Sequence, residues 1–488
     1  VFWLFLLLTQ NSWKSLLVAL LFGVHPIHVE SVAWVTERKD VLYAFFYLGA
    51  AVSYIYYLKK DKNCKYLFLT LLLFILSLLS KPMAVTLPLL LILFDYMSIG
   101  RVKFENINEK LPFFMIASIF AVMAVLGQKG LHGTTEPTIL NAVHNCLEAN
   151  YCLMLYIYKT LAPFKYSLFY SHYIEGLNLI KGYIWYSPFA LSLLVAMVIY
   201  SARYTRKGIY GALFMGITLL PASNLFAFGI SIPGLRHMYI PILGLFYIFV
   251  EAGGWLIQKI KGKRILYYFV VSVIALVVIS LSVITNTRCR QWKDTFTLFS
   301  GIIMEYPDAV NSKYAYNGLA NWYLDKGDTV NAVKCSEKSH QLDNAYPDYY
   351  YFKSRLAYLR QDYKNSLDYL NEAISHCKSI DKDVYSIFKS DILCKLKYYD
   401  QALLSADGVI KNKYFTSLGY ELKGKIYYEM GNYESAISES SKAIEMNSYD
   451  ADAYTTRCLS YKYLGESQKS ANDFKKLSEV EASYAKIE

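Results

Sequence analysis

From Val1 to about residue 285, long apolar runs alternate with short polar turns. Beyond that point the runs break up, and charged and tyrosine-rich segments take over. The runs at about 13–24, 41–58, 65–80, 82–97, 111–127, 146–162, 183–201, 209–226, 237–257 and 265–285 are candidate membrane helices, with a further apolar stretch at 1–9. Several hold about 16 residues. A perpendicular crossing needs ~20, so these are expected to tilt or to continue into their flanks. The stretch at 1–9 has no charged region before it and no cleavage site after it, unlike a signal peptide. The expectation is a chain that starts partway through a membrane helix.

The second half carries an internal period. Aligning YNGLANWYLDKGDTVNAV, FKSRLAYLRQDYKNSL, FKSDILCKLKYYDQAL, YELKGKIYYEMGNYESAI and YTTRCLSYKYLGESQKSA puts a small residue at Ala320, Ser354, Ser390, Gly424 and Cys458, spaced 34, 36, 34 and 34. A second set follows twelve residues later, at Ala332, Ser366, Ala402, Ala436 and Ser470. Turn glycines stand at Gly327, Gly431 and Gly465. A helix pair of about 34 residues, with small residues where its helices cross, is the tetratricopeptide pattern, and such units stack into a curved solenoid. The expected fold class is all-α. It comprises a polytopic membrane helix bundle over 1–285, a linker over 286–311, five tetratricopeptide repeats over 312–482 and a tail over 483–488.

Lysine and arginine give the expected orientation. Lys14, KKDKNCK at 59–65, RVK at 101–103, RYTRK at 203–207 and KIKGKR at 259–264 lie in short turns and mark the cytoplasmic side. The parity of crossings holds except between Arg101 and Arg203, so 146–162 is expected to be re-entrant or to lie in the interface. The opposite face then collects 25–40, 80–82, 127–145, 166–182, 221–236 and everything after 286. The net charge of +11 has the same topological reading. No basic stripe with interleaved aromatics accompanies it, which speaks against nucleic acid. The expected partners are membrane lipid and, through the repeats, a polypeptide. The eight cysteines are scattered without a C-x-x-C pair, so they read as ordinary thiols.

Chemistry concentrates in LLFGVHPIHVESVAWVTERKDVLYAFF, residues 20–46. Pro26 suits a first helical turn, and a helix from there puts Glu30, Trp34 and Glu37 on one face with Arg38 close by. A satisfied polar network at the interface is one reading. A metal pair at His25 and His28 is a weaker one, because the Pro turn separates them. Charge at membrane depth is costly and usually faces a cavity or a site. Ser80-Lys81-Pro82 is a second polar spot, and PGLRHMYIP at 233–241 a third. Arg38, Lys81 and Arg236, all expected on one face, either clamp a phosphate together or meet lipid headgroups separately. GYELKGKI at 419–426 nearly matches a phosphate-binding loop, but it ends in Ile426 and lies in a repeat helix, so packing explains it better.

HPIHVESVAWVTERKDVL, LLSKPMAVTLPLLLILFDY, APFKYSLFY, LRHMYIP and TRCRQWKDTFTLF occur in that order before the repeats. Together they resemble bacterial relatives of the transmembrane and tetratricopeptide-repeat protein O-mannosyltransferases, in the GT-C glycosyltransferase superfamily. The resemblance implies transfer of a sugar, mannose by analogy, from a polyprenyl phosphate to a hydroxyl acceptor on the periplasmic or luminal face. Carried over, it makes Glu30 the candidate acidic residue near sugar or acceptor. Arg38, Lys81 and Arg236 would bind the donor phosphate, and His25, His28, Asp40 and Tyr239 would shape the site. Glu37 and Lys39 fit either role. The lipid-linked sugar phosphate is a substrate; no cofactor is called for with certainty, and a divalent metal lacks support. Leu235 stands where relatives commonly carry an acid, and His237 where they often carry Tyr. If Val1 lies in the family's second helix, the family's catalytic base falls upstream, and the segment alone is expected to be inactive. The competing classes are a non-catalytic membrane-anchored repeat scaffold and, more weakly, a transporter, for which no inverted repeat is evident.

Overall fold

The computed structural model describes residues 1–99, 107–132, 139–164, 183–223, 234–259, 263–344, 346–377, 381–412 and 415–484. The basic turn 101–103, the tyrosine-rich loop 166–182 and most of 221–236 lie outside them. Among the described residues every regular element is helical. The chain divides into two units, Val1–Ala315 and Tyr316–Glu488.

The first unit contains α1 (Phe2–Thr9), α2 (Ser12–Val24), α3 (Val29–Ala33), α4 (Arg38–Lys59), α5 (Cys64–Ser80), α6 (Leu87–Ile99) and α7 (Leu111–His132). Then come α8 (Ile139–Leu161), α9 (Tyr183–Ser201), α10 (Lys207–Leu219), α11 (Ile242–Lys259), α12 (Arg264–Gln291) and α13 (Thr295–Glu305). Three helices among the described residues are long and apolar enough to cross a membrane: Val35–Lys59, Ile242–Lys259 and Arg264–Gln291. Ser12–Val24 and Pro26–Ala33 form a fourth if they are one span broken by their 49° bend. Cys64–Ser80, Pro82–Ser98, Leu111–Gly127, Tyr186–Ser201 and Lys207–Ala222 are apolar but shorter. α8, which covers the expected re-entrant segment, is not among the long apolar helices. Most of 286–311, read from sequence as a linker, is helical: α12 runs to Gln291, and a reciprocal Asp294–Thr297 capping box starts α13.

Two local devices set the helix arrangement of this unit. α4 and α5 form an antiparallel hairpin, turned by Asp61 and Lys62 in the left-handed region (φ 47° and 56°) and restarted by Asn63, which caps Lys65. The hairpin brings the first turn of α4 beside the last of α5, where Ser77 donates to the Tyr43 carbonyl at 3.0 Å. α10 and α11 touch through their backbones at two glycines. A Cβ on Gly211 would come within 2.6 Å of the Gly244 carbonyl, and one on Gly244 within 2.8 Å of the Met215 nitrogen. Small residues at such crossings are how membrane helices gain contact area.

The second unit is a run of helix pairs. They are α14 (Ser312–Asp325) with α15 (Thr329–Leu342), α16 (Pro347–Leu359) with α17 (Tyr363–His376), and α18 (Asp381–Lys395) with α19 (Tyr399–Ile410). α20 (Thr416–Glu429) with α21 (Tyr433–Met446) and α22 (Ala451–Tyr463) with α23 (Ser467–Tyr484) complete the series. The twelve-residue offset marks where each pair crosses. Ser354 donates to the Ser366 carbonyl at 2.7 Å, and Ser366 returns a bond to the Ser354 carbonyl at 2.9 Å. Ser390 reaches the Ala402 carbonyl, and Ser470 the Cys458 carbonyl. Gly424, in GYELKGKI, lies in α20, where a Cβ would meet Ser440. The segment is repeat packing, not a phosphate loop.

Candidate functional site

α2 ends at Val24, and the chain turns at His25. The His25 Nδ1 accepts from the Ile27 N–H at 3.2 Å, which caps the 3-10 turn Pro26–His28. With Nδ1 an acceptor, Nε2 carries the proton and donates to the Thr160 carbonyl at 3.0 Å. His25 thus ties the end of α2 to the end of α8. His28 packs between Phe22 and Tyr239, with centroids 4.4 and 4.9 Å away. Neither of its ring nitrogens has a partner among the described residues. The His25 and His28 rings are 6.4 Å apart at a steep angle, and no group of three metal-ligating side chains forms among the described residues.

The helix expected to carry Glu30, Trp34 and Glu37 together is broken. α3 stops at Ala33, Trp34 is extended (φ −78°, ψ 112°), and a 3-10 turn over Val35–Glu37 leads into α4. Branched side chains at Val29, Val32, Val35 and Thr36 weaken helix here. Trp34 instead packs against two side chains: the Trp292 ring is 5.8 Å away at a tilt of 36°, and the Arg236 guanidinium is 5.5 Å from its own ring. The break still brings both glutamates to one cation. Arg236 Nη1 donates to Glu30 Oε1 at 2.6 Å, its backbone N–H to Glu30 Oε2 at 3.3 Å, and its Nε faces Glu37 Oε1 at 3.6 Å. Lys39 sits 3.6 Å from the same Glu37 oxygen, while Glu37 Oε2 is buried without a partner among the described residues.

Asp40, in the first turn of α4, is 1% exposed and is paired with Lys81 at the end of α5. Ser31 donates to its other oxygen at 3.2 Å. His237 lies between the two clusters. Burial, helped by the charges of Lys81 and Arg236, holds its imidazole down to about 3, so it is neutral at ordinary pH. Tyr239 packs edge-on against Phe22 and His28. Arg38 is exposed and makes no ion pair among the described residues. The three cations named from sequence are therefore differently placed: Arg236 and Lys81 are each bound to carboxylates, and Arg38 stands apart.

Sequence reading missed three contributors. A side chain at Gly234 would meet the Arg236 Nη1 at 2.9 Å, so glycine leaves the arginine room to fold back onto Glu30. Thr285 on α12 donates to the Val24 carbonyl at 2.6 Å, and the Trp292 contact with Trp34 brings the end of α12 to the same place. A cavity of about 40 Å³ opens there between Ile27, Glu30, Leu235, Arg288 and Trp292. In the sequence only Gly234, within PGLRHMYIP, offers a signal for any of this. Next to the charges, Val32, Val35, Phe45 and Leu79 are 60–71% exposed. The polar cluster therefore borders an apolar surface.

No family model matches the chain. It is similar to protein O-mannosyl-transferases. A Caenorhabditis elegans protein of that name, F38B6.6, is 27% identical over 336 residues, 67% of this chain and 46% of its own length. The human protein O-mannosyl-transferase TMTC4 is 25% identical over 369 residues, 66% of this chain and 48% of its own. The chain thus spans about half the length of the curated relatives it matches. A repeat protein of Methanocaldococcus jannaschii, the TPR repeat-containing protein MJ1428, is 29% identical over 175 residues, 36% of this chain and 24% of its own. Among solved structures, the TPR protein YrrB aligns with 39% of this chain and 98% of its own, at 18% identity and a TM-score of 0.28.

Proposed function

We propose that this chain takes part in moving a sugar from a polyprenyl phosphate to a hydroxyl group on a polypeptide, at the outer end of the membrane unit. Mannose is the sugar its relatives' names suggest. One observation carries the reading. Glu30, Glu37 and Asp40 converge with Arg236 and Lys81 at the ends of apolar helices, beside exposed Val32, Val35 and Phe45. A lipid-linked phosphate needs that pairing of charge with an apolar flank. In the reaction the acceptor oxygen bonds to the anomeric carbon as the bond from that carbon to the phosphate oxygen breaks. The electron pair leaves on the phosphate, and the hydroxyl proton passes to a carboxylate. Arg236 and Lys81 would balance the charge that grows on the phosphate. Glu30 and Glu37 are the carboxylates this chain offers for the proton, and Glu37 Oε2, without a partner among the described residues, suits the role. The repeats would hold the acceptor polypeptide or a partner, on the periplasmic or luminal side.

The test is labelling of the full chain in nanodiscs with a photoreactive polyprenyl phosphate. Arg236→Ala and Lys81→Ala are each expected to cut labelling about ten-fold, the loss of one charge-assisted hydrogen bond. Unchanged labelling in both variants overturns the reading. A second reading has its own support: both cations are already neutralised by carboxylates, as in a network that only fixes the fold. A non-catalytic repeat scaffold would take no label, yet would still lose stability in Arg236→Ala.

A further inference from the structure

We propose that the opposite end of the helix bundle binds the headgroup of an anionic phospholipid through Lys14 and Lys207. Lys14 lies in the first turn of α2, whose last turn leads to His25. Lys207 is the first residue of α10. Both ammonium groups converge on one oxygen of Glu251 from α11, at 2.7 and 2.8 Å. Glu251 is 8% exposed, so one buried carboxylate serves two lysines and a positive charge is left over. Gly254 lies against the Lys14 side chain, since a Cβ there would come within 2.7 Å of the Lys14 Cε.

The surroundings favour a lipid over a free phosphate. Trp13, next to Lys14 in α2, and Trp255, next to Gly254 in α11, are 79% and 52% exposed, and Lys259 lies 4.0 Å over the Trp255 ring. Exposed tryptophan beside lysine is the side-chain chemistry of the headgroup layer. Along the same helices Leu16, Leu20 and Leu213 are exposed and offer a surface for acyl chains. The N-terminus of α10 adds a partial positive charge of the same sign. Basic crevices between membrane helices on the basic face are suited to anionic headgroups. Glu251 occupies the lysines when no lipid is bound and competes with the phosphate for them.

That competition gives opposite signs to two substitutions. The full chain in zwitterionic detergent is titrated with phosphatidylglycerol or phosphatidylcholine, and retained lipid is counted by native mass spectrometry. Lys14→Gln and Lys207→Gln each leave the other lysine on Glu251, and each should lower phosphatidylglycerol retention about five-fold. Glu251→Gln releases both lysines and should raise it. Lys62→Gln, which breaks a separate pair with Glu109 at the same end, should leave it unchanged. Equal retention of phosphatidylcholine overturns the proposal. So does a Glu251→Gln variant with no gain, or displacement of the lipid by inorganic phosphate. A purely structural trio would not move retention in opposite directions.

Discussion

Arg236 carries more of the outer cluster than any other side chain. It satisfies Glu30 twice and faces Glu37, while both glutamates are buried. Removing one member of such a pair leaves an uncompensated buried charge, which costs about 3–5 kcal/mol. Arg236→Ala should therefore lower the melting temperature of the detergent-solubilised chain sharply, and Glu30→Gln combined with Arg236→Gln should lower it less. A double variant as unstable as the single one would mean the two side chains are not coupled. In the repeats, Glu421 is the acid that burial, with Asp450 and Asp452 nearby, pushes up to about 8. An acid whose folded value is raised holds its proton in the native state after the unfolded chain has lost it. The repeats should thus lose stability as pH rises from about 5 to 8, and change no further from this group above that. Glu421→Gln should flatten the slope, read from thermal melts across that range. The polar residues of the site stood out in the sequence because charge at the mouth of an apolar run is costly. Their pairings did not: Glu30 and Arg236 are 206 residues apart, and no local spacing encodes which carboxylate meets which cation.

At the scale of elements, the repeats were legible and their weak point was not. Small residues twelve apart mark helix crossings because only small side chains fit there, as the reciprocal Ser354–Ser366 bonds illustrate. The turn within each pair needs a left-handed residue: Gly327, Gly431 and Gly465 supply it at φ 78–80°. The same position in the second and third pairs holds Gln361 and Lys397, both at φ 62°. The stacking geometry imposes the conformation whatever the residue, so a reading that looks for glycine loses two turns. The next residue normally caps the following helix: Asp328, Asp362 and Asn432 do, but Tyr398 does not. The third pair therefore has both a strained turn and an uncapped helix. Lys397→Gly should stabilise by about 1 kcal/mol, and Tyr398→Asn by about 1 kcal/mol more. Helical circular dichroism against urea measures both, and no gain in either would mean that this turn does not limit the repeats. The broken helix at Trp34 was missed for a related reason: besides the local branched residues, its setting includes the Trp292 ring, 258 positions away in the chain.

At the scale of the molecule, polar clusters at the two ends of the helices fix what each side of the membrane must see. Glu30, Asp40, Lys81 and Arg236 gather at one end. Lys14, Lys207 and Glu251, the buried Lys110–Asp95 pair and the Lys62–Glu109 pair gather at the other. α12 arrives at the first end, since Thr285 bonds the Val24 carbonyl and Trp292 packs against Trp34. The sugar-transfer reading requires the chain beyond it to emerge on that side, and among the described residues no later helix is long and apolar enough to cross a membrane. Cysteine labelling tests this with a membrane-impermeant reagent on intact cells. With the other native cysteines replaced, Cys64, exposed beside Lys62, should react only after permeabilisation. Val32→Cys, at a position 60% exposed next to Glu30, and Met446→Cys, at one 56% exposed in the repeats, should react without it. A lipid-linked sugar and a polypeptide acceptor can meet only if their sites open to the same compartment. Labelling of Val32→Cys and Met446→Cys from opposite sides would therefore remove the sugar-transfer reading, even if the ion pairs around Arg236 behaved as described.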